Sequence, residues 1–296
     1  MPPKATNMNI VKKIKNKVSE VWAASSLIAA SAGHVYEKGR LVGRQITAIA
    51  IENLLGCSDK ELPDRLEDNG LLQLLGYDKK PDPSIFSHVR KDIGANAIMN
   101  VDLFIIQRLY RDRTVRLLAI DSKFIQTYSK GDREALFGYF TTPKRDQTKK
   151  KKTETKQGYK IHAIIDVETG IPLYWVVLPA NRHDSEAFEV LFAYVREYFR
   201  IAHEAKFLAD SAYDSTAIYE MLRHVHIIPV ISINGRGHYK SSTPKDPEYG
   251  KRWAIERFFS KLQRKVGILN NRFIGIERVT FHVNSVLMGY LIRYIL

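Results

Sequence analysis

The sequence predicts an α/β protein, with an all-helical N-terminal region followed by a mixed sheet flanked by helices. Three observations carry this. Apolar residues up to about position 112 recur at helical spacing with little strand pattern. The run VRLLAIDSKFI from Val115 to Ile125 then opens a series of strand-like segments. In the later half, strands alternate with helices, which calls for parallel pairing. The domains are therefore drawn at 1–112 and 113–296.

In the first region Ile46, Ile49, Ala50, Asn53 and Leu54 predict one helix, and Gly56 is placed to end it. Ser58 is the expected cap of a second helix through Leu62 and Leu66. After the turn Pro81-Asp82-Pro83, Ser84 is the expected cap of a third, through Phe86, Val89 and Arg90. Asn100 or Asp102 starts a fourth, through Leu103, Ile106 and Leu109. Short helices with Lys and Arg between them suit a DNA-binding bundle, and equally a helical cap or dimerisation domain. Lys12 to Lys17 ahead of the apolar Val21 to Ala30 have the outline of a secretory leader. Glu20 abuts that stretch, and Ser25 and Ser26 interrupt it, so it is read as an ordinary helix.

In the second region Val115 to Ile125 is a strand and Tyr159 to Val167 another. Glu168-Thr169-Gly170 is a turn and Ile171 to Leu178 a third strand. Asp184 and Ser185 start an amphipathic helix through Phe188, Leu191, Phe192 and Val195. Phe207-Leu208-Ala209 is a short buried strand ending on Asp210. Helix Thr216 to Arg223, capped by Asp214, and strand His226 to Ile233 follow, with Pro229 suggesting a sheet edge. One helix over 251–269 carries the apolar stripe Ile255, Phe258, Phe259, Leu262, Val266 and Leu269. Trp253 and Phe259 are read as core. The basic stretch 144–156 lacks apolar residues and reads as a loop between the first two strands.

The charge balance narrows the function. Forty-six Lys plus Arg face 32 Asp plus Glu, a net +14, which favours a polyanionic partner, nucleic acid ahead of an anionic membrane surface. The single cysteine, Cys57, excludes an internal disulfide and any multi-cysteine metal site, and fits a reducing intracellular compartment. No segment reaches the ~20 apolar residues of a membrane span, and Arg293 breaks the run from Val283 to Leu296.

Three acids stand out. Asp121 interrupts an otherwise apolar strand, where burial of a carboxylate is costly unless a cation or hydrogen bonds compensate. Asp210 ends a buried strand, where a parallel sheet opens its binding crevice. Glu256 shares a helix face with Arg252, Ser260 and Gln263. Each has a plain structural alternative, as a cap or an ion-pair partner. Together they suit hard cations, because Mg²⁺ takes oxygen ligands and leaves positions for water and phosphate. Two such ions can activate an attacking oxygen and stabilise a leaving one.

These segments resemble a known family, the bacterial and archaeal insertion-sequence transposases of the DDE type with an RNase H-like catalytic domain. LLAIDSKFI matches the first-aspartate strand, and YKIHAIIDVETGIPLYWVVLPANRHDS matches the following Lys-x-His strand, turn, strand and helix start. FLADSAYDS matches the second-aspartate block. Tyr249, Arg252 and Glu256 match the Tyr-x2-Arg-x3-Glu signature. LGCSDKELPDRLEDNGLLQLLGY and DPSIFSHVRKDI resemble the helical N-terminal domain, so the similarity runs from about residue 40 to 285.

The resemblance implies Asp121, Asp210 and Glu256 as catalytic ligands of two Mg²⁺ ions, with Mn²⁺ as a substitute. It implies double-stranded DNA as partner, a homodimer when two ends are paired, no membrane, and a cytoplasmic, nucleoid-associated location. DNA contacts are expected at Tyr249, Arg252, Lys160, and the loop lysines Lys149, Lys150, Lys151 and Lys152. The lysine that the family carries seven positions after the glutamate is Gln263 here, so that phosphate contact is expected at Arg264 and Lys265. Only about twenty residues separate Ile233 from Trp253, too few for the β-rich insertion of helical DDE relatives. An RNase H-like nuclease without strand transfer and an inactive DNA-binding relative remain the alternatives.

Overall fold

The computed structural model describes residues 5–31, 39–141, 153–235 and 242–296. The chain forms two compact units, one from Met1–Ile105, Lys261–Asn270 and Glu277–Leu296, the other from Ile106–Ser260 and Asn271–Ile276. The units are therefore not the contiguous pieces 1–112 and 113–296 expected from the sequence. The reason is the C-terminal helix, which is apolar on nearly every side and completes the helical core.

In the helical unit, α1 (Ala5–Ser31) buries Ile14, Val18 and Val21 along one face. Part of the stretch with a leader's outline thus serves as helix core. Helix α2 (Gly39–Leu55) buries Ile46, Ile49, Ala50 and Leu54, and Gly56 follows at φ 64 as predicted. Helix α3 (Leu62–Asp68) starts after Glu61, not at Ser58. The Ser58 amide and hydroxyl both donate to the Glu61 carboxylate at 2.9 Å. Helix α4 (Ser84–Leu109) is capped by Asp82, which accepts from the Ser84 amide at 2.8 Å.

Helix α4 breaks at Gly94 (φ 67, ψ 171) rather than at Asn100 or Asp102. That left-handed φ suits glycine, and the Glu277 carboxylate takes the Ala95 amide at 2.7 Å where the second half begins. Asp102 consequently lies inside the helix. It is buried with no hydrogen-bond partner among the described residues, and burial pushes its pKa well above the usual carboxylate value. Helix α8 (Ile276–Tyr294) buries Val279, Val283, Val286, Leu287 and Leu291. Ser285 accepts from the Asn53 amide at 3.1 Å, and Asn284 donates to the Ala95 carbonyl at 2.9 Å.

The second unit is built on a six-stranded sheet. Its elements are β1 (Val115–Gln126), β2 (Leu136–Thr141), β3 (Thr153–Asp166), β4 (Pro172–Pro179), α5 (Asp184–Tyr198), β5 (Ile201–Ala209), α6 (Thr216–His224), β6 (Ile228–Ile231) and α7 (Trp253–Lys261). The strand order is β2-β3-β1-β5-β6, with β4 also on β3. Strands β1, β5 and β6 run parallel, and β2, β3 and β4 join antiparallel. Pro229 lies on the edge strand β6, as expected. On α5, Phe188 and Phe192 pack edge-on against Phe207 of β5 at 5.3 and 5.8 Å.

Several expectations change. Strand β2 was not foreseen, and its pairing draws Thr153 to Lys156 out of the expected loop into β3. The α5 cap is His183, in a capping box with Glu186, and not Asp184. Asp214 accepts from the Asn234 amide at 2.8 Å and the Tyr219 hydroxyl at 3.2 Å instead of capping α6. The helix drawn over 251–269 is a 3₁₀ turn (Pro247–Arg252), then α7, then a π-helical turn (Leu262–Val266) closed by Gly267, which leaves Leu269 exposed. Phe259 is buried as expected, but Trp253 is exposed, with the Arg257 guanidinium 3.5 Å above its ring.

One close approach in the helical unit is directly testable. A Cβ on Gly289 would stand 3.0 Å from a Val266 methyl and 3.2 Å from the Ala50 carbonyl oxygen. Gly289→Leu overpacks this contact and is expected to cost about 1–3 kcal/mol, read as a lower denaturant midpoint by circular dichroism.

Candidate active site

Strand β1 lies between β3 and β5, and its residues Val115 to Ile120 are nearly all apolar and buried. Asp121 opposes Ala163 of β3. On its other side Ala119 pairs with Leu208 in parallel register, so Asp210, one residue beyond the end of β5, comes level with Asp121. The parallel pairing thus sets the two aspartates side by side, close enough for the charge of Asp210 to act on Asp121.

Their surroundings differ. The Asp121 side chain is 22% exposed, its Oδ1 accepts from the Ser122 amide at 2.7 Å, and Arg252 Nη1 stands 3.5 Å from Oδ2. Burial pushes the Asp121 pKa up to about 7, with Asp210 adding to the rise; the Ser122 amide and Arg252 oppose it. Asp210 accepts from the Ala212 amide at 2.9 Å and so caps the 3₁₀ turn Ser211–Tyr213. Burial raises its pKa too, and the charges of Asp184 and Glu256 raise it further.

Glu256 lies in the first turn of α7, whose Ile255, Phe258 and Phe259 are buried. Its side chain is 56% exposed and bonds the Arg252 guanidinium, which also faces Asp121. One guanidinium therefore bridges the first and third acids. With Glu256 drawn to Arg252, no three His, Cys, Asp or Glu side chains among the described residues gather into a metal-holding group. The Asp121–Asp210 pair nevertheless has the donor chemistry of a hard-cation site. Both carboxylates are oxygen donors whose negative charge burial disfavours.

The other expected contacts fall in separate places. Tyr249 shares a hydrogen bond with the Ser232 hydroxyl. Lys160 forms an ion pair with Asp184 at 2.7 Å, and the Ser122 hydroxyl donates to the same carboxylate at 3.2 Å. Arg264 and Lys265 belong to the π-helical turn of the helical unit. Lys149, Lys150, Lys151 and Lys152 lie outside the described residues. His162, next to this cluster, is buried, and burial pushes its pKa down to about 4, which leaves a neutral ring.

Two features escaped sequence reasoning. Asp184 looks like a helix cap, yet its carboxylate ties Lys160 of β3 to Ser122, the residue after Asp121. Asp132 is buried in the turn after β1 and accepts from Thr127, Tyr159 and the Gly275 amide at 2.9–3.2 Å. Burial alone would raise its pKa, but these donors, the Gly275 amide foremost, hold it below the usual carboxylate range.

A comparison with curated proteins returns no match. Among solved structures, a piggyBac transposase synaptic complex with hairpin DNA is 12% identical with a TM-score of 0.41, covering 97% of this chain and 74% of that one. A Mos1 transposase paired-end complex with the left transposon end is 12% identical at a TM-score of 0.23, covering 79% and 76%. Residues 113–292, which include all three acids, match the family described as the transposase DDE domain, and the chain belongs to that family.

Proposed function

We propose that the protein is an active DNA transposase. In this reading it hydrolyses a phosphodiester at the ends of its mobile element, and the freed 3′-OH then attacks target DNA. The observation that supports it most is the level placement of Asp121 and Asp210, with Arg252 linking Asp121 to Glu256. Asp121, Asp210 and Glu256 would hold two divalent cations, Mg²⁺ or Mn²⁺. When bound, these would supply Lewis-acid stabilisation of the attacking and leaving oxygens.

The chain's own groups then divide the remaining work. Asp121 and Asp210 would hold the cations, whose charge would offset the burial that disfavours their ionised forms. Arg252, now neutralising Asp121 and Glu256, is released toward a phosphate, for which a planar guanidinium is well suited. Tyr249 flanks it on the same 3₁₀ turn. Lys149 to Lys152, Arg264 and Lys265 supply phosphate contacts, and two copies pair the two DNA ends. Retention of strand transfer distinguishes this from a nuclease that only cuts.

Asp121→Asn, Asp210→Asn and Glu256→Gln are each expected to abolish strand cleavage while duplex binding survives, because binding rests on Lys and Arg. Cleavage at the wild-type rate by the Asp121→Asn protein would sink the assignment. Neutralising Lys149, Lys150, Lys151 and Lys152 together should flatten the salt dependence of DNA binding by about 0.9 for each phosphate they cease to neutralise. An unchanged slope would show that those lysines are merely solvated.

The raised Asp121 pKa gives a further test in stability. Between the unfolded value of 3.8 and the folded value of about 7, the unfolded chain releases its proton first. Asp121 therefore lowers stability progressively as pH rises through that window, by at most about 4 kcal/mol at 1.36 kcal/mol per unit. Without divalent ions, the Asp121→Asn protein should melt above the wild type at pH 8 and match it near pH 4. Added Mg²⁺ should raise the wild-type melting temperature at pH 8 and leave the variant unmoved.

A further inference from the structure

Strand β3 is longer than its neighbours. It pairs with β1 only from Gly158 onward and with β4 only from Tyr159 onward, while β2 pairs with residues 153–158. Residues 137–141 and 153–157 therefore form a two-stranded ribbon that projects beyond the sheet. One side of it is held at the base, where a Cβ on Gly138 would stand 2.5 Å from the Ala180 carbonyl oxygen. The other side carries Phe137 and Tyr139, which are 64% and 81% exposed.

The unbroken register identifies that side. Tyr139 opposes Thr155, Phe137 opposes Gln157, and by alternation along β3 both share a face with Ala163 and hence with Asp121. The turn between β1 and β2 lies on the same side, because the Tyr159 hydroxyl on that face holds Asp132. It presents Tyr128, Lys130 and Arg133 to solvent. Of its two acids, Asp132 is buried and Glu134 accepts from the Ile276 amide at 2.7 Å.

A lone two-stranded ribbon is marginal in water and gains little from leaving two aromatic rings exposed. DNA supplies what it lacks, since the major groove admits a two-stranded ribbon. Sugars and thymine methyls there offer apolar contact, and phosphates match the flanking cations. We propose that this ribbon is a separate DNA contact, inserting Phe137 and Tyr139 into a groove while Lys130 and Arg133 grip the backbone. The proposal rests on the transposase reading, in which DNA is engaged at Asp121. Eight residues of β3 separate Thr155 from Ala163, or about 26 Å at the strand rise. The ribbon would then meet the duplex about eight base pairs from the acids.

The test uses the full-length protein and a random-sequence 60-base-pair duplex, several times longer than this spacing. Phe137→Ser with Tyr139→Ser should weaken binding about tenfold, leaving both the salt slope and the melting temperature unchanged. Lys130→Gln with Arg133→Gln should lower the slope by about 1.8. A photo-crosslinking amino acid at position 139 should capture DNA. Wild-type affinity in the aromatic double variant overturns the proposal while leaving the transposase reading intact. So does capture of a second protein chain at position 139, which would make the ribbon an interface between copies. Failure of the wild-type protein to bind any duplex overturns both, and Asp121→Asn, which keeps the ribbon, separates a cleavage defect from a binding defect.

Discussion

A carboxylate set in the interior of a sheet imposes a condition on everything near it. Asp121 sits on β1 beside β3, just past the end of the β5 pairing, and only part of its side chain reaches solvent. In a medium of low polarity its negative charge is stable only beside a positive one, and otherwise the group keeps its proton. The surrounding elements can be read as answers to that condition. The 3₁₀ turn before α7 delivers Arg252, the backbone of Ser122 offers an amide, and β5 brings a second aspartate that makes the shortage of positive charge worse. A fold that needed only stability would place an aliphatic residue there.

The acids and their strands were legible because they depend on local pattern. Asp121 interrupts a run of apolar residues, and Asp210 closes one, so each marks its own position on a strand. The level placement of the two follows from parallel pairing between runs of similar length, a general rule needing no knowledge of distant contacts. The Arg252–Glu256 pair follows from helical spacing alone.

What was not legible depends on reach. Helix starts were assigned to Ser58, Ser84 and Asp214 by residue type, yet capping needs a side chain whose acceptor atom meets a free amide, and Asp82 and His183 have that geometry. Strand β2 is short and carries a glycine next to a basic stretch, so its alternation is visible only once β3 pairs with it. The break in α4 at Gly94 depends on Glu277, far along the chain, accepting the Ala95 amide. Lys160 has the look of a free cation in sequence, and only the fold brings Asp184 to it.

The helical unit is assembled from three separated stretches of chain, with the last of them, α8, in its core. During synthesis the first four helices leave the ribosome long before that segment exists. They must wait, with the apolar surface of α2 that meets Gly289 uncovered, while the whole sheet unit is made. The sheet unit has most of its chain in hand before α8 appears and can fold first. The helical unit thus cannot complete its core until α8 has been made, and until then its apolar surface is open to the aggregation that unfinished cores invite.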